Sequence, residues 1–374
     1  MPSLALKNLL HDKVRLTVTL VGIVFSVVLT AVQLGLFFGF VRATSDLIDH
    51  SQADLWITSH GVTHIETAVP FPEQKLYQVL ATPGVTAVEK HIVGFGQWKT
   101  PRGGEEGILL VGFNLENPLG GPWNLVAGKV EDLKEPDAVM VDELYREKLG
   151  VTHLGQTVEI RGRRARVVGF TRGIRTFTTS PAVFTSFKNA QGYAGLREDQ
   201  TFYLLVKAAP GVSPVALKQA IASRVSDVDV YTRAEFSRKQ SFYWMFGTGA
   251  GVTVLIAAAL GLLVGIVVVA QTIYASTMDH IREYGTLKAM GASNGYLYRV
   301  IIKQAAISGL IGYVIGMSMS LFVSRASMQG TTAIILPPLI IAALLVLTLL
   351  MCIGASLVSI NKVTRLDPAM VFRG

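Results

Sequence analysis

Two histidines four residues apart form the first pattern in this sequence that suggests chemistry. His60 and His64 lie in "SHGVTHIETAVP", with Glu66 close behind. On a helix this spacing would place two imidazoles on one face, where they could bind a metal ion or haem. However, the stretch is rich in glycine and β-branched residues, which disfavour a helix. We therefore interpret it as a solvated loop, and a metal or haem site is the alternative.

Arginines form a second candidate site. Residues 161–166 read "RGRRAR", and two more arginines follow in "GFTRGIRTFTTSPAVFTSF", which we interpret as a strand, an exposed loop and a second strand. Clustered arginines can bind acidic headgroups, but an Arg-Gly pair is also typical of a hairpin turn. The loop could present an exposed apolar contact to a partner or substrate. The possible external partner contacts are Arg163, Arg164, Arg172, Arg175 and Phe177.

Catalytic groups in a convincing arrangement are absent from the sequence. There is no Ser/His/Asp set, no paired carboxylates and no Cys/His pair that meets the criteria for an active site. The phosphate-binding pattern G-x-x-x-x-G-K-[ST] does not occur, and the only cysteine, Cys352, lies in an apolar run. We predict no catalytic, cofactor-binding or metal-binding residue on this chain, and Cys352 as a small packing residue.

A charged segment, "MDHIREYGTLKAMGAS", lies between two apolar stretches. Asp279 is suited to cap a helix, Gly291 to end it and Ser293 to cap the next one. Apolar residues recur at helical spacing and form one stripe. We therefore predict a helix over residues 279–291. Its stripe consists of Ile281, Tyr284 and Leu287, and its charged residues are His280, Arg282, Glu283 and Lys288.

The elements that must position these residues are mostly membrane helices. Half of the chain is hydrophobic and only 16% is charged, whereas soluble domains have about a quarter of their residues charged. The net charge of +8 comes with no nucleic-acid motif, which argues against nucleic-acid binding. Segments of about 20 apolar residues can cross a bilayer. We predict four spans, at 16–41 (an uncleaved anchor), 246–274, 300–323 and 336–360.

The orientation of these spans follows from their flanks. Basic residues precede the first span, separate the second from the third and follow the fourth, so we expect both termini and the 361–374 tail to be cytoplasmic. Residues 1–15 are predicted to form an amphipathic interfacial helix. No charged residue lies deep in a span, which argues against secondary transport. Glycine pairs indicate close helix packing or dimerisation: 35/39, 261/265 and 312/316.

Residues 44–240 are predicted to form an external α+β domain between the first two spans. Five stretches have the alternation or the β-branched content of strands, and two have the start and stop signals of helices. The strands are "ADLWITS", "GILLVGFN", "AVMVDE", "QTVEIRGRRARVVGF" and "TFYLLVKA", and the helices are "FPEQKLYQVLATPGV" and "SPVALKQAIASRVS".

Three motifs resemble one family. "REYGTLKAMGAS" is similar to the signature that the MacB/FtsX/LolC-type (type VII) ABC transporter permeases carry between their second and third spans, and "RLDPAMVFRG" resembles their C-terminal tail. "LALKNLLHDKVRLTVTLVGIVFSVVL" is most similar to the DevC branch of exporter permeases. The expected architecture is four transmembrane helices with a large α+β extracytoplasmic domain between helices 1 and 2.

This resemblance implies a homodimer in the bacterial inner membrane with a separate cytoplasmic ATPase that binds ATP and Mg²⁺. It also implies mechanotransmission, in which ATP-driven closure of the ATPases moves the helices and the external domains. The 279–291 helix would then be the coupling helix, which makes Asp279, His280, Ile281, Arg282, Glu283, Tyr284, Leu287, Lys288, Met290 and Gly291 the residues expected to contact the ATPase.

The DevC branch implies export with a periplasmic adaptor and an outer-membrane channel, and a lipid, glycolipid or other hydrophobic compound as cargo. Two alternatives stay open within the family: a haem exporter permease, and an FtsX-like regulator of a cell-wall hydrolase. A four-span receptor without an ATPase is a further alternative, but it would not need the charged helix.

Overall fold

The structure is a computed structural model that describes residues 13–279, 285–288 and 290–364. It divides into two compact units. The first comprises the described residues of 1–38, 252–327 and 333–374, and the second comprises residues 39–251 with 328–332. The predicted interfacial helix at 1–15 lies, except for its last three residues, outside the described part of the chain.

Four of the helices are long and apolar enough to cross a membrane: α1, α7, α8 and α9. The sequence indicated that the first span ends at residue 41, whereas the helix continues to Asp49. The second of these begins at Ala250, after a turn, rather than at residue 246. Apart from the helical residues 285–288, the α-helices of the described residues are α1 (Lys13–Asp49), α2 (Lys75–Leu80), α3 (Arg146–Leu149), α4 (Phe187–Ala194), α5 (Pro214–Ala222), α6 (Arg233–Phe242), α7 (Ala250–Asp279), α8 (Asn294–Ser327) and α9 (Pro338–Thr364).

Glycines allow these helices to approach each other closely within one chain. A Cβ atom added to Gly265 of α7 would lie 1.9 Å from Ser26 Oγ of α1, and one added to Gly312 of α8 would lie 2.5 Å from Ile23 of α1. Cys352 is fully buried in the same core, as predicted for a packing residue. The glycines at 265 and 312 are therefore used for packing between helices of one chain.

The second unit is built on one large, mostly antiparallel sheet. Its strand order is β12-β1-β11-β3-β4-β9-β6-β8-β5, and β7 pairs with both β3 and β8. The pairs β4–β9 and β6–β8 are parallel. The strands are β1 (Leu55–Ser59), β2 (Phe71–Pro72), β3 (Val85–Lys99), β4 (Glu105–Phe113), β5 (Leu125–Ala127), β6 (Ala138–Asp142), β7 (Thr157–Ile160), β8 (Arg163–Thr171), β9 (Ala182–Ser186), β10 (Gln200–Thr201), β11 (Tyr203–Ala208) and β12 (Val228–Thr232).

The α+β prediction is confirmed, and so are all five predicted strand stretches and both helices. The arginine-rich stretch forms a hairpin, because β7 pairs with β8 in antiparallel register around Arg161 and Gly162. These two residues have φ angles of 46° and 77°, and a two-residue turn of the type I′ class needs positive φ at both positions. The 15-residue strand β3, together with β12 and α6, was not anticipated.

The segment that joins α7 to α8 is described only in part. Residues 285–288 are helical. The predicted stop at Gly291 is confirmed: its φ is 94°, its N–H donates to the Lys288 carbonyl, and the Ala292 N–H donates to the Leu287 carbonyl, the pattern of a Schellman C-cap. Ser293 caps α8, because its Oγ accepts from Tyr296 N at 3.3 Å.

Candidate functional site

Five chain segments meet in the second unit around the residues that precede α7. They are the C-terminal end of α1, the loop that contains residues 60–67, the loop after β8, the turn at 240–247 and the α8–α9 loop at 328–332. We call this region the junction. Residues 243–247 form a π-helical turn. This geometry is rare in proteins as a whole, but where it occurs it is often at a functional site.

Gln240 of α6 joins the 60–67 loop to the segment before α7. Its side-chain carbonyl accepts from Ile65 N at 2.8 Å, and its amide donates to Glu66 Oε2 at 2.9 Å. The indole of Trp244 donates to the same carboxylate oxygen at 3.3 Å, and Tyr203 OH donates to the Ile65 carbonyl at 2.8 Å. Gln240 is fully buried, so this contact is made away from water.

Burial determines the charge behaviour of the two titratable groups in the 60–67 loop. Desolvation raises the pKa of Glu66 above its ordinary value, and the hydrogen bonds from Gln240 and Trp244 act against that rise. Desolvation lowers the pKa of His64, whose ring stacks on Tyr243 with centroids 4.0 Å apart. A neutral His64 is therefore favoured at this stacked position.

Aromatic rings continue the junction from α1 to the π-helical turn. Phe40 of α1 meets Phe177 edge-on, with centroids 5.4 Å apart. Phe177 in turn packs at 4.8 Å on Trp244, which meets His64 at 5.4 Å. Phe177 is therefore half-buried among aromatic rings and is less exposed than expected, while its contact with an external partner stays a prediction.

Arg175 connects the loop after β8 to the α8–α9 loop. Its guanidinium donates to the Met328 carbonyl at 2.6 Å and to the Gly330 carbonyl at 3.1 Å. The buried carboxylate of Asp142 holds this loop in place, because its Oδ2 accepts from Thr171 Oγ1 and from the backbone N–H of Ile174, each at 2.9 Å. The loop that carries Arg175 is thus itself held in place by the hydrogen bonds to Asp142.

The two chain ends of the external domain also meet in the junction. Thr44 Oγ1 of α1 and Ser241 Oγ of α6 lie 2.9 Å apart. Arg233, at the start of α6, donates to the Ser51 carbonyl at 3.0 Å. Lys239 donates to the Val62 carbonyl at 2.6 Å. These contacts fix α6 to the end of α1 and to the start of the 60–67 loop.

The remaining predicted contacts do not form one surface. Arg164 pairs with Asp137 at 3.0 Å and Arg172 with Glu143 at 2.9 Å. Arg163 lies against Gly192 of α4. Arg163 and Arg164 begin β8 and Arg172 follows its end, so about 30 Å of strand separates them at ~3.3 Å per residue.

The two histidines of the opening pattern have different partners. His60 is exposed and pairs with Asp229 at 2.9 Å, as expected for a solvated loop. His64 and Glu66 are buried, so the loop is not solvated throughout. Within residues 13–279, 285–288 and 290–364, no group of three or more His, Cys, Asp and Glu side chains could hold a metal ion. Sequence reasoning missed Gln240, Trp244 and Asp142, whose partners are distant in the chain.

The predicted coupling residues are only partly visible. His280, Ile281, Arg282, Glu283 and Tyr284 lie outside the described residues, and the predicted capping by Asp279 depends on them. Leu287 packs against the cluster of Leu297, Val300 and Ile301 at the start of α8. Met290 is 71% exposed. Of the predicted stripe, the described member therefore contacts its own chain, while Met290 is open to a partner.

Chemically, the junction contains, among its described side chains, one type of hydroxyl–imidazole contact, in which Thr63 Oγ1 lies 2.9 Å from His64 Nδ1, on a buried ring that stacks against Tyr243. Its hydrogen bonds and ring contacts join the external domain to residues that lead directly into α7, and to the loop between α8 and α9.

Family descriptions match nearly the whole chain. The MacB-like periplasmic core domain matches residues 16–224, and the FtsX-like permease C-terminal region matches residues 255–368. The first match alone covers more than half of the chain, and the chain belongs to the MacB/FtsX-type ABC transporter permeases. It is a multi-pass protein of the inner membrane, a transport subunit that is not itself catalytic, and its family implies a partner ATPase.

Curated relatives of similar length carry the same description. An uncharacterised ABC transporter permease of Mycobacterium tuberculosis is 24% identical over 386 residues, with 99% of each chain covered. Another, from Mycobacterium bovis, is 22% identical over 373 residues, again with 99% of each chain covered. A third, from Methanocaldococcus jannaschii, is 23% identical over 177 residues, which cover 46% of this chain and 44% of the relative.

Two solved structures were found that are similar to part of the chain. The periplasmic region of MacB from Actinobacillus actinomycetemcomitans is 13% identical, with a TM-score of 0.40, and the match covers 51% of this chain and 94% of that one. The extracellular domain of the noncanonic ABC-type transporter YknZ from Gram-positive bacteria is 15% identical, with a TM-score of 0.36. The match covers 48% of this chain and 99% of that one.

Proposed function

We propose that this chain is the permease subunit of an ABC exporter that works by mechanotransmission. A separate ATPase would bind ATP and Mg²⁺ on the cytoplasmic side, two copies of the chain would form the membrane part, and the external domains would release a lipid, glycolipid or other hydrophobic compound. A periplasmic adaptor and an outer-membrane channel complete the proposal, in keeping with the similarity to the DevC branch.

One observation carries the mechanical part of this proposal. Gln240 and Trp244 bind the buried Glu66 carboxylate from the segment that precedes α7. A displacement of that segment must either move the 60–67 loop with it or break two buried hydrogen bonds to a carboxylate. Breaking such bonds costs about 1–3 kcal/mol for each group left unpaired. Concerted movement is therefore favoured.

The proposed contact with the ATPase can be tested at Met290. This side chain is 71% exposed just before Gly291, whereas Met328, at the opposite end of α8, is 43% exposed. We expect Met290→Asp to abolish co-purification with the partner ATPase, because a charged side chain would be placed in an apolar contact. Met328→Asp is the matched control and should leave co-purification unchanged. Equal retention of the ATPase by both variants would contradict the proposed coupling site.

ATP hydrolysis provides a second test of the same assignment. The purified chain alone should show no ATP turnover, and turnover should appear when the ATPase is added in a lipid nanodisc. Met290→Asp should lower this turnover to that of the ATPase without the permease. Hydrolysis by the chain alone would refute its role as a permease subunit.

A further inference from the structure

Three exposed side chains form a stripe on the helix that precedes α7. Arg238, Phe242 and Phe246 are spaced four residues apart, on α6 and the π-helical turn that continues it. The two phenylalanines are 67% and 47% exposed. Their ring centroids lie 5.3 Å apart, so both rings are on the same face. Exposed aromatic pairs of this size mark interaction surfaces more often than single exposed residues do.

Arg238 is the cation of α6 that has no internal role. It is exposed, and no ion pair to it is present in the described part of the chain. Glu235, three residues earlier, is held by Lys218 at 2.9 Å. Arg233 donates to the Ser51 carbonyl, and Lys239 to the Tyr231 hydroxyl and the Val62 carbonyl. The Arg238 guanidinium is therefore available to an anionic ligand.

One end of this stripe lies close along the chain to a candidate membrane span. Phe246 precedes Ala250 by four residues, a reach of at most ~14 Å in any direction. Residues Ala250–Thr272 form one of the candidate membrane spans, with a mean hydropathy of 3.0. The headgroup zone is about 5–8 Å deep on each side of the hydrocarbon core, and aromatic side chains are enriched there. Phe246 is thus the member of the stripe closest along the chain to the lipid headgroups, and Phe242 and Arg238 follow it away from the span.

We propose that Arg238, Phe242 and Phe246 bind an anionic phospholipid of the leaflet that faces the external domain. The guanidinium donates to the lipid phosphate, with the fork geometry that suits phosphate oxygens. The two rings lie at the boundary between the headgroups and the acyl chains. This site does not depend on the proposed transport function, since it requires only that α7 spans the membrane.

The contact with lipid can be measured by fluorescence quenching of the full chain in nanodiscs. Phe242→Trp adds a fluorophore to the stripe, and Tyr77→Trp is the matched control, because Tyr77 is 68% exposed on α2 of the external domain. The chain has four tryptophans of its own, so the emission of each introduced tryptophan is taken as the difference between the variant and the unaltered chain. Phosphatidylcholine brominated near the carboxyl end of its acyl chains should quench the tryptophan introduced at position 242, because aromatic side chains of this kind lie at the membrane–water interface. The tryptophan introduced at position 77 should not be quenched. Equal quenching of the two variants, or none, would overturn the proposal.

The headgroup preference is tested with the same Phe242→Trp chain. Brominated phosphatidylglycerol, diluted in unlabelled phosphatidylcholine, should quench more strongly than brominated phosphatidylcholine at the same mole fraction. Arg238→Glu should lower the apparent enrichment of the anionic lipid by more than about fivefold, because loss of one basic group near a surface costs about fivefold and the new carboxylate repels the phosphate. Arg224→Glu, at an exposed arginine of the same domain, should have no effect. Quenching that does not depend on headgroup charge would overturn the role of Arg238.

Discussion

The side-chain carbonyl and the NH₂ group of Gln240 both form hydrogen bonds inside the junction, and neither group is accessible to water. Replacing it with leucine would leave the Ile65 N–H without its acceptor and the Glu66 carboxylate with one donor fewer. Buried groups of this kind cost about 1–3 kcal/mol each when unpaired. We therefore expect Gln240→Leu to lower the free energy of unfolding by about 2–4 kcal/mol.

Urea unfolding of the full chain in nanodiscs, followed by tryptophan fluorescence, measures this loss. Gln219→Leu on the exposed face of α5 is the matched control and should change the unfolding free energy by less than ~0.5 kcal/mol. If both variants unfold at the same urea concentration, Gln240 does not stabilise the junction.

His91 gives the external domain a pH dependence. Its ring is buried on β3 and its Nδ1 has no hydrogen-bond partner. Desolvation lowers the pKa of His91 to about 3, and a hydrogen bond to the backbone of Gly112 acts in the opposite direction. The folded state therefore binds a proton less readily than the unfolded chain, whose histidine pKa is about 6.5.

Stability should consequently be complete above pH ~6.5 and fall between about pH 6.5 and pH 3, at up to ~1.4 kcal/mol per pH unit from this residue. His91→Leu should flatten the fall in urea midpoint over this range. His153→Leu, at an exposed position, should leave it as steep as in the unaltered chain. The lowered pKa of His64 contributes in the same direction and the raised pKa of Glu66 in the opposite one, so any slope that persists in His91→Leu reports the balance of these two groups.

The sequence indicated which residues were unusual at this scale but not which residues they contact. His60, His64 and Glu66 stood out by spacing, and Arg175 and Phe177 by their loop. The partners of Glu66 are more than 170 positions away, and no local pattern encodes such a pairing. Burial of His64 was missed for the same reason, because it depends on stacking against Tyr243.

Helix packing makes its own prediction at the scale of elements. Gly265 on α7 faces Ser26 Oγ of α1, and an added Cβ atom would lie 1.9 Å from that oxygen. Gly265→Val should therefore force the two helices apart and lower the stability of the membrane unit by about 1–3 kcal/mol. Gly354→Val on α9 is the matched control, since a Cβ there meets nothing within 4 Å.

Thermal unfolding in detergent distinguishes these two glycine variants. We expect a lower melting temperature and partial aggregation for Gly265→Val, and values close to those of the unaltered chain for Gly354→Val. A similar response of both would mean that α1 and α7 tolerate wider spacing.

Helices and strands with one clear hydrophobic pattern were predictable from the sequence. Those whose pattern is interrupted by polar residues or glycines were not. The spans and the β7–β8 hairpin follow directly from apolar length and from the Arg-Gly turn. Strand β3 was missed because Glu89, Lys90 and His91 interrupt its apolar run and Gly94 and Gly96 weaken its strand propensity. Helix α6 has a polar sequence, RAEFSRKQSF. It is stabilised by a capping box at Thr232 and by contacts with residues that are distant in the chain. Neither the capping box nor these contacts produce the amphipathic periodicity by which a helix is predicted from sequence.

At the scale of the molecule, the contact between Thr44 and Ser241 predicts how the external domain moves. Their hydroxyl oxygens are 2.9 Å apart, close enough for a disulfide after a small adjustment. If the domain moves as one body with the helix ends, linking these two positions should not impede the cycle. We expect Thr44→Cys/Ser241→Cys, in a Cys352→Ser background, to keep the ATP turnover of the reconstituted complex when oxidised.

The comparison of oxidised and reduced protein in the same nanodiscs provides the readout, and the two single cysteine variants are the controls. Activity that appears only after reduction would mean that α1 and α6 separate during the cycle. The fold class and the family could be predicted from the sequence because spans and signature motifs are local. The junction could not, since it is assembled from five segments that the chain places far apart.

The proximity of Thr44 and Ser241 also has an evolutionary consequence. Domains whose chain ends lie close together are tolerated as insertions, because the host structure needs only a short connection at one point. The external domain of this permease therefore has the form of a removable module inserted between two membrane helices. Exchange of residues 45–240 for the corresponding domain of a relative would leave the helices joined across the same short gap, so the external domain could diverge without redesign of the membrane part.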